Sequence, residues 1–301
     1  MRVNSKLAKK IAGKEFIITA EVLPPVGTDR ASVEKAARAL GDKPIAVNVS
    51  DNHFGVTLSS LAASAALVRC GIEPVLQVVT RDRNRLALQS DLLGAASLDI
   101  PNVLCLSGTH QTLAGSPESA NVYDIDSIQL IAVVRRMAEE GLLLNGTKLA
   151  GDFALLPGAA ANPDLRPLEL NLLRLGKKIE AGAAFIQTQA VFNVDSFSQW
   201  LSAARDQDLT GRAAILVGVQ PLTGVDEAVS LRERFTDYSI PDAVVDRLRR
   251  AGDPAAQRKE GLAICKEIIG KVRGMKGVAG IHILSGGHEA VVPELLSAAG
   301  L

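Results

Sequence analysis

The sequence predicts an α/β fold, a single-domain eight-stranded (β/α)8 barrel spanning residues 1–301. Short β-branched runs alternate with segments of helical periodicity from end to end, which is the βαβ pattern. The runs number eight, the count that closes a parallel barrel. Aromatic residues make up only 3% while Ala, Leu, Val and Ile dominate, as layered aliphatic packing between helices and parallel strands requires.

The first run, 16–22, is Ile-Ile-Thr rich and stops before Pro24-Pro25. Runs at 45–49, 74–79 and 102–106 follow, each rich in Val, Leu or Ile. A fifth is placed at 149–154, and the last three at 184–189, 214–219 and 280–284. Between them, apolar residues recur at three and four over 30–40, 57–69, 83–96, 126–140, 168–181, 194–204 and 255–272, which predicts helices. A doubly wound open sheet shares this alternation, but its first strand should lead into GxGxxG, and Pro24-Pro25 stands there instead.

Composition excludes several classes. With 33 Lys+Arg against 33 Asp+Glu the net charge is zero, so no basic field calls for nucleic acid. Cys70, Cys105 and Cys265 are odd in number and far apart, giving neither a disulfide framework nor a zinc site and suggesting a reducing compartment. The first residues lack an apolar core of signal length, and no segment reads as a membrane span, so a cytoplasmic protein is expected. No GxSxG elbow and no Walker loop occurs. His53, His110, His282 and His288 have no short metal spacing, and His282 reads as a buried, hydrogen-bonded residue, so no metal is expected.

In such barrels functional groups lie at the carboxyl ends of the strands. Those positions hold Glu21, Ser50 to His53, Gln77 with Arg81-Asp82-Arg83, Ser107 to His110, Asp152, Gln187 to Gln189, Gln220 and Ser285 to His288. Glu21 ends an apolar strand, where partial desolvation lets a carboxyl keep its proton near neutrality as a general acid. From position alone it reads equally as a solvated or ion-paired glutamate. The Gln189 carboxamide offers a donor and an acceptor together, which suits the lactam edge of a pterin or flavin, or else loop backbone. Arg81 to Arg85 could meet a diphosphate at a helix start, or pair locally.

Glu21-Val22-Leu23-Pro24-Pro25, Val47 to Ser50, Asn102 to Gly108, Asn121 to Asp124, Leu173 to Ala183 and Thr188-Gln189 together resemble the methylenetetrahydrofolate reductase family. The likeness is co-linear over about residues 14 to 300. It implies a short, bacterial-type enzyme with FAD that interconverts 5,10-methylene- and 5-methyltetrahydrofolate. Glu21, Thr109 and Gln189 are the catalytic residues so implied, with Glu21 the acid and Gln189 the pterin holder. Ser50, Asp51, His53, Gln77, Ser107, Gly108, Thr109, Tyr123, Asp124, Asp152, Arg174, Lys177 and Lys178 would surround FAD, the lysines near its diphosphate. Gln189, Gln220, Leu222 and His288 would face the folate.

Three departures stand out. Thr109 replaces an aspartate that many members carry beside the flavin ring, so reduced flavin should form more easily and pterin recognition should change. His288 stands where some members have an arginine for the folate glutamate tail, and Gln77 where some have histidine. The electron donor is NADH, NADPH or a reduced partner protein, and a homo-oligomer or a subunit of a complex is the default. Two other readings remain: an enzyme with the same barrel that acts on a different pterin or takes hydride directly from a nicotinamide without flavin, or a folate- or flavin-binding subunit with weakened activity of its own.

Overall fold

The computed structural model describes residues 3–113, 115–234 and 239–301. Eight parallel strands close into a barrel in sequence order: β1 (Ile17–Val22), β2 (Ala46–Val49), β3 (Pro74–Val79), β4 (Asn102–Leu106), β5 (Leu156–Ala161), β6 (Phe185–Ala190), β7 (Ala214–Val219) and β8 (Val278–Ile283). The predicted fold class is therefore the observed one. Around it lie α1 (Lys6–Ala12), α2 (Arg30–Ala39), α3 (Ser60–Arg69), α4 (Arg85–Ser97), α5 (Ser127–Glu139) and α6 (Leu168–Ala181). The second half adds α7 (Val194–Asp206), α8 (Leu209–Arg212), α9 (Val225–Arg234), α10 (Asp242–Arg250), α11 (Pro254–Val272) and α12 (Val292–Ala298). Among the described residues no helix is long and apolar enough to cross a membrane.

Helix starts follow side-chain chemistry. Asp29, Asn84, Asn193 and Asp253 each accept a hydrogen bond from a backbone N–H in the first turn, and Asp126 with Gln129 forms a reciprocal capping box. These contacts satisfy N–H groups that have no partner within the helix.

Alternation along each strand sorts the barrel interior into layers. Ile17, Ala46, Val75, Leu104, Leu156, Phe185 and Leu216 form an apolar floor, joined from below by Leu7 of α1. Glu73 anchors that helix: its carboxylate accepts from the Lys6 and Leu7 N–H groups at 2.6 and 3.0 Å. Two residues further along the strands, Thr19, Asn48, Gln187 and His282 make a buried polar layer. Gln187 exchanges bonds with Asn48 at 2.7 and 3.0 Å, and Thr19 Oγ1 lies 3.0 Å from His282 Nδ1. Burial drives the His282 pKa down to about 3, so the ring is neutral, as expected of a structural histidine. Glu21 and Gln189 stand two residues further on again, at the mouth, where Gln77, two residues after Val75, reaches Glu21.

The fifth strand is not where the sequence placed it. Residues 149–154 lie before β5, following a small antiparallel bridge between Leu142 and Lys148. The true strand, Leu-Pro-Gly-Ala-Ala-Ala, has no β-branched residue and reads as a turn, yet pairs along its length with β4 and β6. Asp152 consequently sits at the end of the barrel where strands begin, exposed and opposite the mouth. Small residues in β5 make room for a large one: a Cβ added at Gly158 would lie 2.2 Å from the Phe185 ring. Gly158→Ala is expected to cost about 1–3 kcal/mol through overpacking, measured as a lower midpoint in urea with an unchanged slope.

Candidate active site

Glu21 ends β1 at the mouth, partly buried in a cavity of about 160 Å³ lined by Gln77, Leu104, Gln187, Gln189, Gln220 and His282 among others. Gln77 Nε2 donates to Glu21 Oε2 at 3.0 Å, while Ser285 Oγ donates to the Glu21 carbonyl at 2.9 Å. Burial raises the carboxyl pKa from 4.5 to about 7; the Gln77 bond opposes the shift and the nearby charge of Glu289 adds to it. With Oε2 engaged as an acceptor, the proton of the neutral form belongs on Oε1.

A second cavity of about 400 Å³ adjoins this one, sharing His53, Gln77, Leu106, Ala160 and Gln189 in its wall. Asp51, Ser107, Gly108, Thr109, Arg174 and Lys178 complete much of it. A third, of about 380 Å³, continues from Ala160, Gln189, Arg174 and Lys178 toward Asn162, Arg166 and Leu170. The three make one trough across the mouth.

Helical spacing puts Arg174 and Lys178, four apart on α6, on one face above this trough. Lys178 Nζ donates to the Ala160 carbonyl at 2.6 Å, and its pKa falls to about 8 through burial and then the Arg174 charge. Arg174 makes no hydrogen bond or ion pair among the described residues. The third cavity carries no carboxylate in its lining, and the single one in the second, Asp51, is bound by Arg83 and by the Val79 N–H at 2.9 Å. The Asp126 charge acts on Lys178 only weakly against burial and Arg174, and two adjacent cations with no ion pair of their own are able to hold an anionic group such as a diphosphate.

Of the residues expected around FAD, the structure gathers Asp51, His53, Gln77, Ser107, Gly108, Thr109, Arg174 and Lys178 on the trough. Others lie elsewhere. Ser50 is buried behind the wall and Lys177 is exposed on α6, lining none of these cavities. Tyr123 donates to the Gly108 carbonyl at 3.3 Å and supports the loop from outside. Asp124 is taken by Arg85, which donates to it from Nε at 2.8 Å and from its backbone N–H at 2.9 Å. Asp152 is at the far end. Gln189 and Gln220 line the Glu21 cavity as expected, whereas Leu222 and His288 line a separate cavity of about 430 Å³ between α2 and α11.

Local pairing wins for the arginine run. Arg81 is buried and binds Asp82, donating also to the carbonyls of Thr109 at 2.9 Å and Asn52 at 3.1 Å. It thereby clamps the loops after β2 and β4. Sequence reasoning missed this clamp and also missed Glu227, which accepts from Gln220 within the connection from β7 to α9. The clamp had no local signal, since it depends on which loops the barrel brings together.

Known proteins resemble this chain over nearly its whole length. The family model described as methylenetetrahydrofolate reductase matches residues 6–300. A Caenorhabditis elegans protein named "Probable methylenetetrahydrofolate reductase (NADPH)" is 24% identical over 247 residues, 82% of this chain and 35% of that protein. Methylenetetrahydrofolate reductase 2 of Saccharomyces cerevisiae is 30% identical over 144 residues, 46% of this chain and 23% of that protein. The chain thus spans about a third or less of these relatives. A solved Clostridium thermocellum protein, described as binding two copies of 5-methyl-5,6,7,8-tetrahydrofolic acid, superposes with a TM-score of 0.68 at 16% identity, covering 98% of this chain and 99% of that one. At that identity the likeness is one of fold. With the family model matching nearly every residue, the chain belongs to the methylenetetrahydrofolate reductase family.

Proposed function

We propose that this protein catalyses the flavin-dependent interconversion of 5,10-methylenetetrahydrofolate and 5-methyltetrahydrofolate. The observation that carries the reading is Glu21, a carboxyl with a pKa of about 7 at the inner end of a trough whose outer part holds a paired cation site. Opening the methylene bridge needs a proton on a ring nitrogen, and an acid poised near neutrality is suited to deliver it.

FAD fits the residues present. Lys178, partly deprived of its charge by burial and by Arg174, gains a counter-ion when a diphosphate lies beside it. FAD, once reduced by the electron donor, would supply the hydride when bound. The chain does the rest: Gln77 fixes the Glu21 carboxyl so that Oε1 faces the cavity with its proton, and Leu104, Leu106 and Leu284 limit water around it. The Gln189 carboxamide presents a donor and an acceptor to the pterin edge. Support for a folate substrate comes from the Clostridium thermocellum protein with the same fold. The electron donor is a pyridine nucleotide or a reduced partner protein, and the protein acts in the cytoplasm as a homo-oligomer or within a complex.

The test is direct. FAD-reconstituted protein is incubated anaerobically with methylenetetrahydrofolate and NADH, NADPH or dithionite, and methyltetrahydrofolate is quantified. No product with any donor would sink the assignment.

Thr109 favours a second reading, a family member tuned to a different pterin or serving as a binding subunit. It lines the trough with its carbonyl pinned by Arg81, and its hydroxyl cannot supply the charge of a carboxylate. Thr109→Asp is expected to lower the bound flavin's midpoint potential by roughly 30–60 mV, the effect of one added charge several ångströms away, in a spectroelectrochemical titration. An unchanged potential would place residue 109 away from the ring.

A further inference from the structure

The buried polar layer beneath the mouth leaves one donor unspent. Gln187 and Asn48 satisfy each other there, Gln187 Oε1 accepting from Asn48 Nδ2 at 2.7 Å and Gln187 Nε2 donating to Asn48 Oδ1 at 3.0 Å. The same Gln187 nitrogen reaches Thr19 Oγ1 at 3.2 Å and His282 Nδ1 at 3.3 Å, and Thr19 Oγ1 lies 3.0 Å from that Nδ1. An amide N–H only gives a hydrogen, and a hydroxyl that receives one gives its own, so both partners turn hydrogens toward Nδ1. Burial keeps the ring neutral, and a neutral imidazole carries one hydrogen. With Nδ1 the acceptor, that hydrogen sits on Nε2.

Nε2 itself bonds to no described residue. It is also not among the buried polar atoms that are sealed off without a partner. His282 is only 3% exposed and lines the Glu21 cavity, so the small open part of the ring is the part that faces that cavity. Its height follows from register: His282 pairs with Thr19, and Glu21 stands two residues beyond Thr19 on β1, which puts the imidazole one layer below the acid. Leu104 and Leu106 line the same cavity and offer it no acceptor. A desolvated N–H is unfavourable until an acceptor fills it.

We propose that His282 is a ligand-binding residue: its Nε2–H is a fixed, uncharged donor in the floor of the cavity, for a lactam-type acceptor of the heterocycle bound above it. Flavins and pterins both carry such a carbonyl. A ring with an N–H or a positive charge at that point meets another hydrogen and is rejected. The inference rests on the reading that the Glu21 cavity takes these rings, and it adds what the floor requires of them.

NMR of protein carrying isotope-labelled histidine reads the tautomer directly, because a nitrogen that bears hydrogen and a bare one resonate far apart. The His282 signals are those missing from His282→Asn. In the wild-type apoprotein we expect a bare Nδ1 and a protonated Nε2. Addition of FAD, and then of 5-methyltetrahydrofolate, should move the Nε2 hydrogen downfield and slow its exchange with solvent, and the step at which this happens tells which ring supplies the acceptor. A hydrogen found on Nδ1, or an Nε2 signal indifferent to both bound ligands, would overturn the proposal.

Two variants separate binding from structure. In His282→Asn the side-chain oxygen takes the place of Nδ1 and keeps the Thr19 bond, while the floor donor is lost; in His282→Gln an amide nitrogen reaches the place of Nε2. For the ligand that moves the Nε2 signal, Kd should rise on the order of 10-fold in H282N, the scale of one neutral hydrogen bond, and stay within about 3-fold of wild type in H282Q. An unchanged Kd in H282N, or equal losses in both variants, would make the ring purely structural. Where a variant does not fold, the wild-type titration decides alone. Protein that binds FAD but no methyltetrahydrofolate refutes the folate reading, and its flavin step still tests His282.

Discussion

Glutamine in place of Glu21 is expected to lower turnover of methylenetetrahydrofolate by on the order of 10²–10⁴, the contribution of a positioned general acid. The Kd of 5-methyltetrahydrofolate, which carries no bridge to open, should change far less, and steady-state assays with a parallel binding titration separate the two. Activity should also track the protonated carboxyl. With a pKa of about 7, kcat/KM of the wild-type enzyme falls as pH rises through neutrality, and Glu21→Gln loses that limb of the profile. The same shift fixes a sign for stability. In the unfolded chain the group titrates near 4.5, so between about 4.5 and 7 the folded state binds the extra proton. That contribution is complete below 4.5 and is lost as pH climbs past 7. At pH 8 the wild-type protein holds an ionised carboxylate in a partly dry cavity, and the glutamine variant does not. Glu21→Gln is therefore expected to melt higher than wild type at pH 8 and to match it at pH 4. A variant that melts identically at both would show that the side chain is solvated, and would remove the basis for an acid there.

Lys178→Met should weaken FAD binding on the order of 10- to 100-fold, the scale of one charge-assisted hydrogen bond to phosphate, while methionine preserves the length and apolar packing of the stem. Fluorescence titration of the apoprotein with FAD reads this directly. Burial and the neighbouring Arg174 bring the Lys178 pKa to about 8, so the apoprotein loses this charge above pH 8. Wild-type FAD affinity should drop across that range and the methionine variant's should not. Binding near pH 8 should also draw a proton from solution, seen as a heat that varies with the ionisation enthalpy of the buffer. Absence of proton uptake would mean that the diphosphate lies away from α6.

Much of this was readable in the chain, and the exceptions have a common cause. Strands such as Ile17–Val22 and Ala214–Val219 announce themselves through branched aliphatic runs, and Glu21 through its place after one of them. β5 does not, because Leu-Pro-Gly-Ala-Ala-Ala has no intrinsic preference for extended structure and is a strand only through its two neighbours. That one error carried Asp152 to the wrong end of the barrel. The cation-bearing side of the trough was legible at Ser107 to Thr109 and at Lys178, where loop and helix positions are local. Contacts between strands were not: Gln77 reads as a flavin contact, and it is the side chain that holds Glu21, 56 residues earlier. Asp124 reads as a ligand contact and is instead taken by Arg85, while Asp51 lines the trough with its carboxylate bound to Arg83. A sequence shows which residues stand at strand ends, whereas their partners follow from barrel closure.

Ala160 lines all three compartments of the trough, and its carbonyl is the atom that tethers Lys178. A single methyl group near the tip of β5 thus stands where the compartment of the acid meets those of the cations. A leucine at this point would act as a partition, leaving each chamber able to accept a fragment but not the whole. Chain length of the guest, and not affinity for either end alone, is what this position would then police.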